Sequence, residues 1–254
     1  MDCPATLVVV PAHGRSAVIG SLRRVLAAAP VEVLVVLEED DHAVTDLVEE
    51  FARSHLEVHL LHRRRGKGVG TPQREGLLWG LERGYQVLVT MDLAHPAERL
   101  PAVLAALEDA DLVLGSRHLA APTTLAVADD HRLGPLVSRA GNACLAAVLR
   151  LPVRDVTTGF RGFRREVLLG IGISALTSRG SSFRIDTTHR AHQGGYRLVE
   201  VPVVVPGERG ATAAGVREVL TTAMTTAMTR LRAKPCRRGP VRLPERSTRV
   251  GGLR

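Results

Sequence analysis

Aromatic side chains are scarce: Phe, Trp and Tyr make up 3% of the 254 residues, too few for a base-stacking surface for single-stranded DNA or RNA. Cysteine is nearly absent too. Cys3, Cys144 and Cys236 lie far apart and form neither a CxxC pair nor an even disulfide set, which points to a reducing compartment without a zinc site. No stretch reaches the ~18–20 uncharged apolar residues that span a bilayer; 167–178 falls well short. The start carries Asp2 and no basic segment ahead of the apolar run 7–10, so no signal peptide is expected and the chain is expected in the cytoplasm. The turn Pro11-Ala12-His13-Gly14 lacks the GxGxxG of a dinucleotide site. There is no internal repeat.

What is present is a globular composition, 45% hydrophobic and 24% charged, enough to bury a full-sized core. The formal net charge of +8 is unevenly distributed. From Arg230 to Arg254 nine basic residues meet one acidic residue, Glu245, which accounts for the whole surplus; the remaining 25 basic and 25 acidic side chains cancel. The basicity therefore belongs to a tail, and no nucleic-acid partner is expected despite a pI near 10.5. The expected division is one domain over 1–232 and a basic, disordered tail over 233–254.

Short β-rich runs alternate with longer amphipathic stretches. Strands are expected at 7–10, 33–37, 56–61, 87–91 and 112–114, and helices at 17–29, 44–54, 72–83 and 98–107, the last two opening at or just after a proline. Alternation of this kind predicts an α/β domain with a mostly parallel sheet flanked by helices, and the continuously apolar strands fit burial on both faces. The second half is less regular, with helices near 136–149 and 184–192, a Val-rich strand region at 198–205 and a last helix at 216–232.

Open parallel sheets bind ligands at the carboxyl ends of their strands. Gly66-Lys67-Gly68-Val69-Gly70 is not a Walker motif, because its lysine precedes the glycines that should lead to it. It does offer backbone that a ligand can approach closely, beside Arg63, Arg64, Arg65 and Lys67, a combination suited to a nucleotide diphosphate; a solvated basic turn is the plainer reading. Asp92 directly follows the strand 87–91. There a carboxylate can reach a divalent cation that neutralises a pyrophosphate leaving group, or simply cap the turn ahead of His95-Pro96. No role is assigned to His95.

Taken in order, His62-Arg63, Gly66-Lys67-Gly68-Val69-Gly70, Gly76, Trp79-Gly80, Arg83-Gly84-Tyr85 and Val89-Thr90-Met91-Asp92 resemble the donor half of the dolichol-phosphate (polyprenol-phosphate) mannosyltransferases of glycosyltransferase family 2. The resemblance continues through Leu114-Gly115-Ser116-Arg117-His118, Ser138-Arg139 with Asn142, the run from Leu151 to Arg161, Val199-Glu200-Val201-Pro202 and Arg209-Gly210, covering about residues 5–232. It implies a GT-A (Rossmann-like) fold and inverting transfer of a sugar, usually mannose from GDP-mannose, onto a polyprenyl phosphate with Mg2+ or Mn2+. Carried over position by position, it implies donor binding by Pro11, Glu38, Lys67, Gly68, Gly70 and Asp92, with the metal on Asp92. It implies acceptor-phosphate binding by Arg117, Arg132, Ser138 and Arg139, and a direct part in catalysis for Asp92 and Arg117. The acceptor phosphate, with a second pKa of roughly 6, is already largely ionised and calls for cationic positioning rather than a strong base. Asp155 and Arg161 either border the acceptor side or pair with each other to fix a turn around Gly159.

The departures fall on the donor and metal side. Leu37-Glu38-Glu39-Asp40 stands where the family has Asp-Asp-Gly-Ser, so one carboxylate, Glu38, remains. Met91-Asp92-Leu93-Ala94-His95-Pro96 is two residues shorter than the family's pattern and keeps a single Asp. Arg184-Ile185-Asp186 replaces Gln-x-Glu, and Thr212-Ala213 replaces Ser-Lys, removing a cation from the donor phosphates for which Arg184 could compensate. Two functions follow: an active transferase with a metal site rebuilt around Asp92, or a catalytically impaired relative that binds polyprenyl phosphate or a protein partner at the membrane. A nucleotidylyltransferase fits less well, since no Gly-rich, Arg-containing loop follows the first strand. The apolar positions of 216–232 and the basic tail suit an anionic membrane surface, placing the protein peripheral to the inner face of the membrane; a core-packed helix with a solubilising tail is the alternative.

Overall fold

A computed structural model describes residues 6–12, 18–38, 42–63, 72–119, 133–178 and 180–205. The expected tail at 233–254 and the helix at 216–232 lie outside the described residues. Seven strands form one sheet: β1 (Thr6–Pro11), β2 (Glu32–Glu38), β3 (Val58–Arg63), β4 (Val87–Thr90), β5 (Leu112–Ser116), β6 (Arg161–Arg164) and β7 (Leu198–Pro202). Their spatial order is β3-β2-β1-β4-β6-β5-β7. All neighbours run parallel except β6, which is antiparallel to both β4 and β5.

The period of two along each strand divides its side chains between two cores. Val8 and Val10 of β1 and Val33, Val35 and Leu37 of β2 face α1 (Val18–Ala28) and α2 (His42–Arg53), meeting Leu22, Val25, Val44, Val48 and Phe51. Helix α4 (Leu100–Ala106) adds Leu100 and Val103 to the same layer. On the other face Leu7, Val9, Leu34, Val36 and Leu88 meet Leu77 and Leu81 of α3 (Pro72–Glu82). Helices α5 (Leu133–Leu149), α6 (Arg165–Gly170) and α7 (Gly180–Gln193) complete that layer with Leu145, Val167, Leu168, Phe183 and Ile185. Burial on both faces is why the strands read as unbroken apolar runs.

Helix α3 approaches the sheet closely through two glycines one turn apart. A Cβ on Gly76 would lie 2.3 Å from Val9 Cγ1, and one on Gly80 would lie 2.6 Å from Leu88 and 2.7 Å from Leu7. Three further motif residues, Trp79, Arg83 and Tyr85, pack on one another. The Arg83 guanidinium lies 3.7 Å above the Trp79 ring, Trp79 stacks on Tyr85, and the Tyr85 hydroxyl donates to Glu32 at 2.6 Å. Glu32 opens β2, so this cluster sits at the sheet edge opposite the carboxyl ends.

Three expectations shift. β3 starts two residues later than 56–61, because His55 and Leu56 belong to the turn after α2: Val58 N–H donates to the His55 carbonyl, and Leu56 is 90% exposed. Helix α7 starts at Gly180, four residues earlier than expected, and β7 ends at Pro202 rather than 205. β6 has no counterpart in the hydropathy pattern. Its sequence, Arg161-Gly162-Phe163-Arg164, reads as a polar turn, yet it occupies the interior of the sheet.

If close helix–sheet contact sets the position of α3, Gly76→Ala must push that helix off β1. The expected loss is about 1–3 kcal/mol, read as a lowered urea midpoint; an unchanged midpoint would show that the contact relaxes without cost.

Candidate active site

The order β2-β1-β4 places a switch point between β1, which leads to β2 on one side, and β4 on the other; ligands enter open α/β sheets at the carboxyl edge of such a point. Pro11, Glu38, Asp92 and Arg117 all stand at that edge, at or just after the ends of β1, β2, β4 and β5. Because β6 runs antiparallel, the loop 155–160 that feeds it arrives at the same edge.

Asp92 begins a tight turn. Its N–H donates to Nδ1 of His95 at 2.7 Å, and its carbonyl accepts the His95 N–H at 3.0 Å. The His95 ring packs against Phe160 with centroids 5.5 Å apart, so this histidine sets the turn that aims Asp92. The Asp92 side chain is 40% exposed. Its Oδ1 accepts from Nε2 of the buried Gln73 on α3 at 3.2 Å, and its Oδ2 lies 3.5 Å from Nη2 of Arg184 on α7. A Cβ on Gly159 would lie 2.6 Å from that Oδ2 and 3.1 Å from Arg184 Nη2. Only a residue without a side chain lets the loop pass so close to the pair.

Arg117 is held by Asp155, not left open to solvent. Its Nε donates to Oδ2 at 2.7 Å, Nη2 donates to Oδ1 at 2.8 Å, and its own amide N–H donates to Oδ2 at 3.1 Å. Nη2 also reaches Thr157 Oγ1 at 3.0 Å. Burial alone would raise the Asp155 carboxyl, but the hydrogen bond and charge of Arg117, its amide N–H and the charge of His118 outweigh it and leave the group below its ordinary value. His118 is shifted down, chiefly by burial with help from Arg117 and Arg139, against the opposing charges of Asp155 and Glu200.

Arg161, expected to be a possible partner of Asp155, turns elsewhere. It is 2% exposed and donates to the carbonyls of Val156, Thr158 and Arg184 and to the hydroxyls of Thr187 and Thr188. Burial, reinforced by the charge of Arg184, lowers it to about 9. The actual ion pair is Asp155 with Arg117, which completes itself in two parallel hydrogen bonds, a geometry the short turn to Arg161 does not supply. Asn142 on α5 clamps the same loop, accepting from the N–H groups of Val156 and Thr157 through Oδ1.

The remaining expected residues divide. Glu38 sits at the end of β2 but faces Arg63, which donates to Glu38 Oε1 at 3.4 Å and to both oxygens of Glu75 at 2.9 and 3.2 Å. Arg63 is thereby committed to carboxylates and is not the diphosphate-facing cation its basic run suggested. Pro11 is buried. Ser138 offers its carbonyl to Asn142, and the exposed Arg139 reaches the His118 carbonyl at 3.3 Å. Lys67, Gly68, Gly70 and Arg132 lie outside the described residues. Gln73 and Gly159 were missed as contacts of Asp92; the glycine was legible as a backbone point of close approach, the glutamine gave no signal.

Among the described residues no group of three His, Cys, Asp or Glu side chains can hold a metal ion. Asp92 is a lone carboxylate with the Arg184 guanidinium 3.5 Å away, and one carboxylate holds Mg2+ together with waters and substrate phosphates. The described residues alone therefore make no complete metal site, and a divalent ion at Asp92 would need the substrate's phosphates to complete its shell.

The fold has known counterparts. A glucosyl-3-phosphoglycerate synthase from Mycobacterium tuberculosis, solved with Mn2+, uridine diphosphate and phosphoglyceric acid, superposes with a TM-score of 0.57 at 17% identity, covering 88% of this chain and 78% of that one. That likeness defines the class, the GT-A fold of glycosyltransferases. Residues 7–172 match the model of Glycosyl transferase family 2, and the chain belongs to that family; it is a glycosyltransferase. It is 37% identical over 186 residues to undecaprenyl-phosphate mannosyltransferase of Micrococcus luteus, covering 72% of this chain and 75% of the relative. It is 36% identical over 208 residues to polyprenol monophosphomannose synthase of Mycolicibacterium smegmatis, covering 78% and 76%.

The Arg117–Asp155 pair gives an acid-sensitive lock. With the folded value below the ordinary 3.8, its contribution is complete above that value and is lost as pH falls through the lower folded one. Between about pH 5 and pH 2 the wild-type urea midpoint should fall more steeply than that of Asp155→Asn; parallel slopes would exclude Asp155 as the titrating group.

Proposed function

We propose that this glycosyltransferase moves a sugar, most simply mannose from GDP-mannose, onto a polyprenyl phosphate with inversion, working on the inner face of the membrane. The observation that carries the proposal is the continuity of the site. Asp92 is in contact with Arg184, Arg184 Nη1 donates to the Thr157 carbonyl at 3.2 Å, and Thr157 Oγ1 accepts from Arg117. One loop thus spans from the edge of β4 to that of β5, from the donor side to the acceptor side. The identity to two polyprenol-phosphate mannosyltransferases over about three quarters of their lengths supports the choice of substrates.

The reaction asks little proton chemistry of the protein. An oxygen of the acceptor phosphate, already ionised near neutral pH, forms the new bond to the anomeric carbon as the bond to the nucleotide diphosphate breaks with its electron pair. Direct displacement inverts that carbon. In this reading Arg117, its plane fixed by Asp155, and Arg139, exposed beside His118, orient the acceptor phosphate, while the edge from Pro11 to Asp92 takes the donor. The neighbouring synthase carries Mn2+ with its nucleotide; a metal here would have Asp92 and the donor's own phosphates to rest on.

No helix among the described residues is long and apolar enough to cross a membrane. Attachment to an anionic surface through the basic tail accounts for access to a lipid acceptor.

With labelled GDP-mannose and polyprenyl phosphate, label should enter the lipid fraction. Arg139→Ala should raise the acceptor KM about tenfold with a smaller effect on kcat. Binding of the lipid phosphate without label transfer under any donor would instead establish the impaired, binding-only relative.

A further inference from the structure

We infer that Arg184 supplies, from the protein itself, the positive charge that faces the donor diphosphate, so that the nucleotide binds without a divalent ion. The inference rests on the nucleotide-sugar reading above and deepens it.

Position comes first. Arg184 leaves α7 and turns back to the carboxyl edge of the sheet, where its Nη2 lies 3.5 Å from Asp92 and its Nη1 is anchored on the Thr157 carbonyl. Its side chain is 25% exposed, so the guanidinium is held in place yet reachable from the cleft. Its Nε is buried and has no hydrogen-bond partner. Because that N–H is closed to solvent, the two Nη groups are the donors that an oxyanion can reach.

Charge points the same way. Behind Arg184, Arg161 donates to the Arg184 carbonyl at 2.6 Å and has no carboxylate among its hydrogen-bond partners. The weak 3.5 Å contact with the single carboxylate of Asp92 leaves Arg184 only partly neutralised, and Arg161 adds a second positive charge beside it. A divalent ion brought to Asp92 would meet that cation at close range. A diphosphate would instead meet a planar fork of N–H donors whose spacing matches two phosphate oxygens. Gly159 completes the arrangement, because any side chain there would occupy the space between carboxylate and guanidinium.

The test is calorimetric titration of the full chain with GDP and with UDP, in EDTA and in Mg2+ or Mn2+. One of the two nucleotides should bind in EDTA, and metal should change Kd by less than about threefold. Arg184→Gln should weaken binding in EDTA at least ~tenfold, and Arg184→Lys, which keeps charge but loses the fork, should fall between. Unfolding midpoints of both variants confirm that they are folded; the wild-type comparison needs no variant. Binding that vanishes in EDTA and returns with metal overturns the role of Arg184 and leaves the transferase reading intact. Wild-type affinity in a folded Arg184→Gln protein overturns it equally. Failure of both nucleotides to bind, with or without metal, brings down this inference together with the nucleotide-sugar reading.

Discussion

The loop 155–160 is the constraint on which the site depends, because its backbone and side chains are held from every neighbouring element. Asp155 binds Arg117 at the end of β5, and its N–H donates to Glu200 of β7 at 2.9 Å. Asn142 of α5 takes the next two N–H groups, Arg161 takes the carbonyls of Val156 and Thr158, and Thr90 of β4 donates to the Gly159 carbonyl at 2.9 Å. An irregular loop buried at a sheet edge would otherwise strand these groups at about 1–3 kcal/mol each. Satisfying them with side chains from five elements fixes the loop that leads from α5 into β6, which is what placing Gly159 against Asp92 and Arg184 requires.

This dense polar packing also explains what could be read from the sequence. The parallel strands and their helices were legible because burial on both faces leaves a plain apolar signature, as in 33–37. β6 was not, because its two arginines are stabilised by carbonyl oxygens and not by apolar contact: Arg164 donates to the carbonyls of Leu107 and Ala110, and Arg161 to those around the loop. Hydropathy is blind to such a strand. Within the site, Asp92 was legible from its place after a strand, and Arg117 from the motif around it. The partner of Asp155 was not: proximity in sequence favoured Arg161, whereas the fold closes a gap of 38 residues to Arg117. The contact of Asp92 with Arg184 likewise depends on how α7 crosses the sheet edge, although the replacement of Gln by Arg at that position already hinted at a displaced cation.

Fold and function rest on different observations here. Likeness at 17% identity establishes the GT-A architecture and says nothing of the acceptor, since one fold hosts many reactions through its loops. Relatives at 36–37% identity narrow the chemistry. At the donor edge the structure sets the Arg184 guanidinium within reach of the Asp92 carboxylate.

The two sides of the site also treat their arginines differently, and the difference suits a displacement reaction between two phosphates. An attacking phosphate gripped by an uncompensated guanidinium would be stabilised in the ground state and lose reactivity, because only interactions that strengthen toward the transition state accelerate the step. In the proposed reaction Arg117 would avoid this by being neutralised beforehand: Asp155 holds it in two close bonds, so what it would offer the acceptor is direction more than charge. The leaving diphosphate has the opposite need, since negative charge grows on it as its bond breaks. A cation there should be fixed in place but only lightly compensated. Arg184, anchored on a carbonyl and separated from Asp92 by 3.5 Å, meets that condition. The asymmetry follows from the same loop: Asp155 at its start quenches one arginine, and Gly159 near its end leaves room for the other.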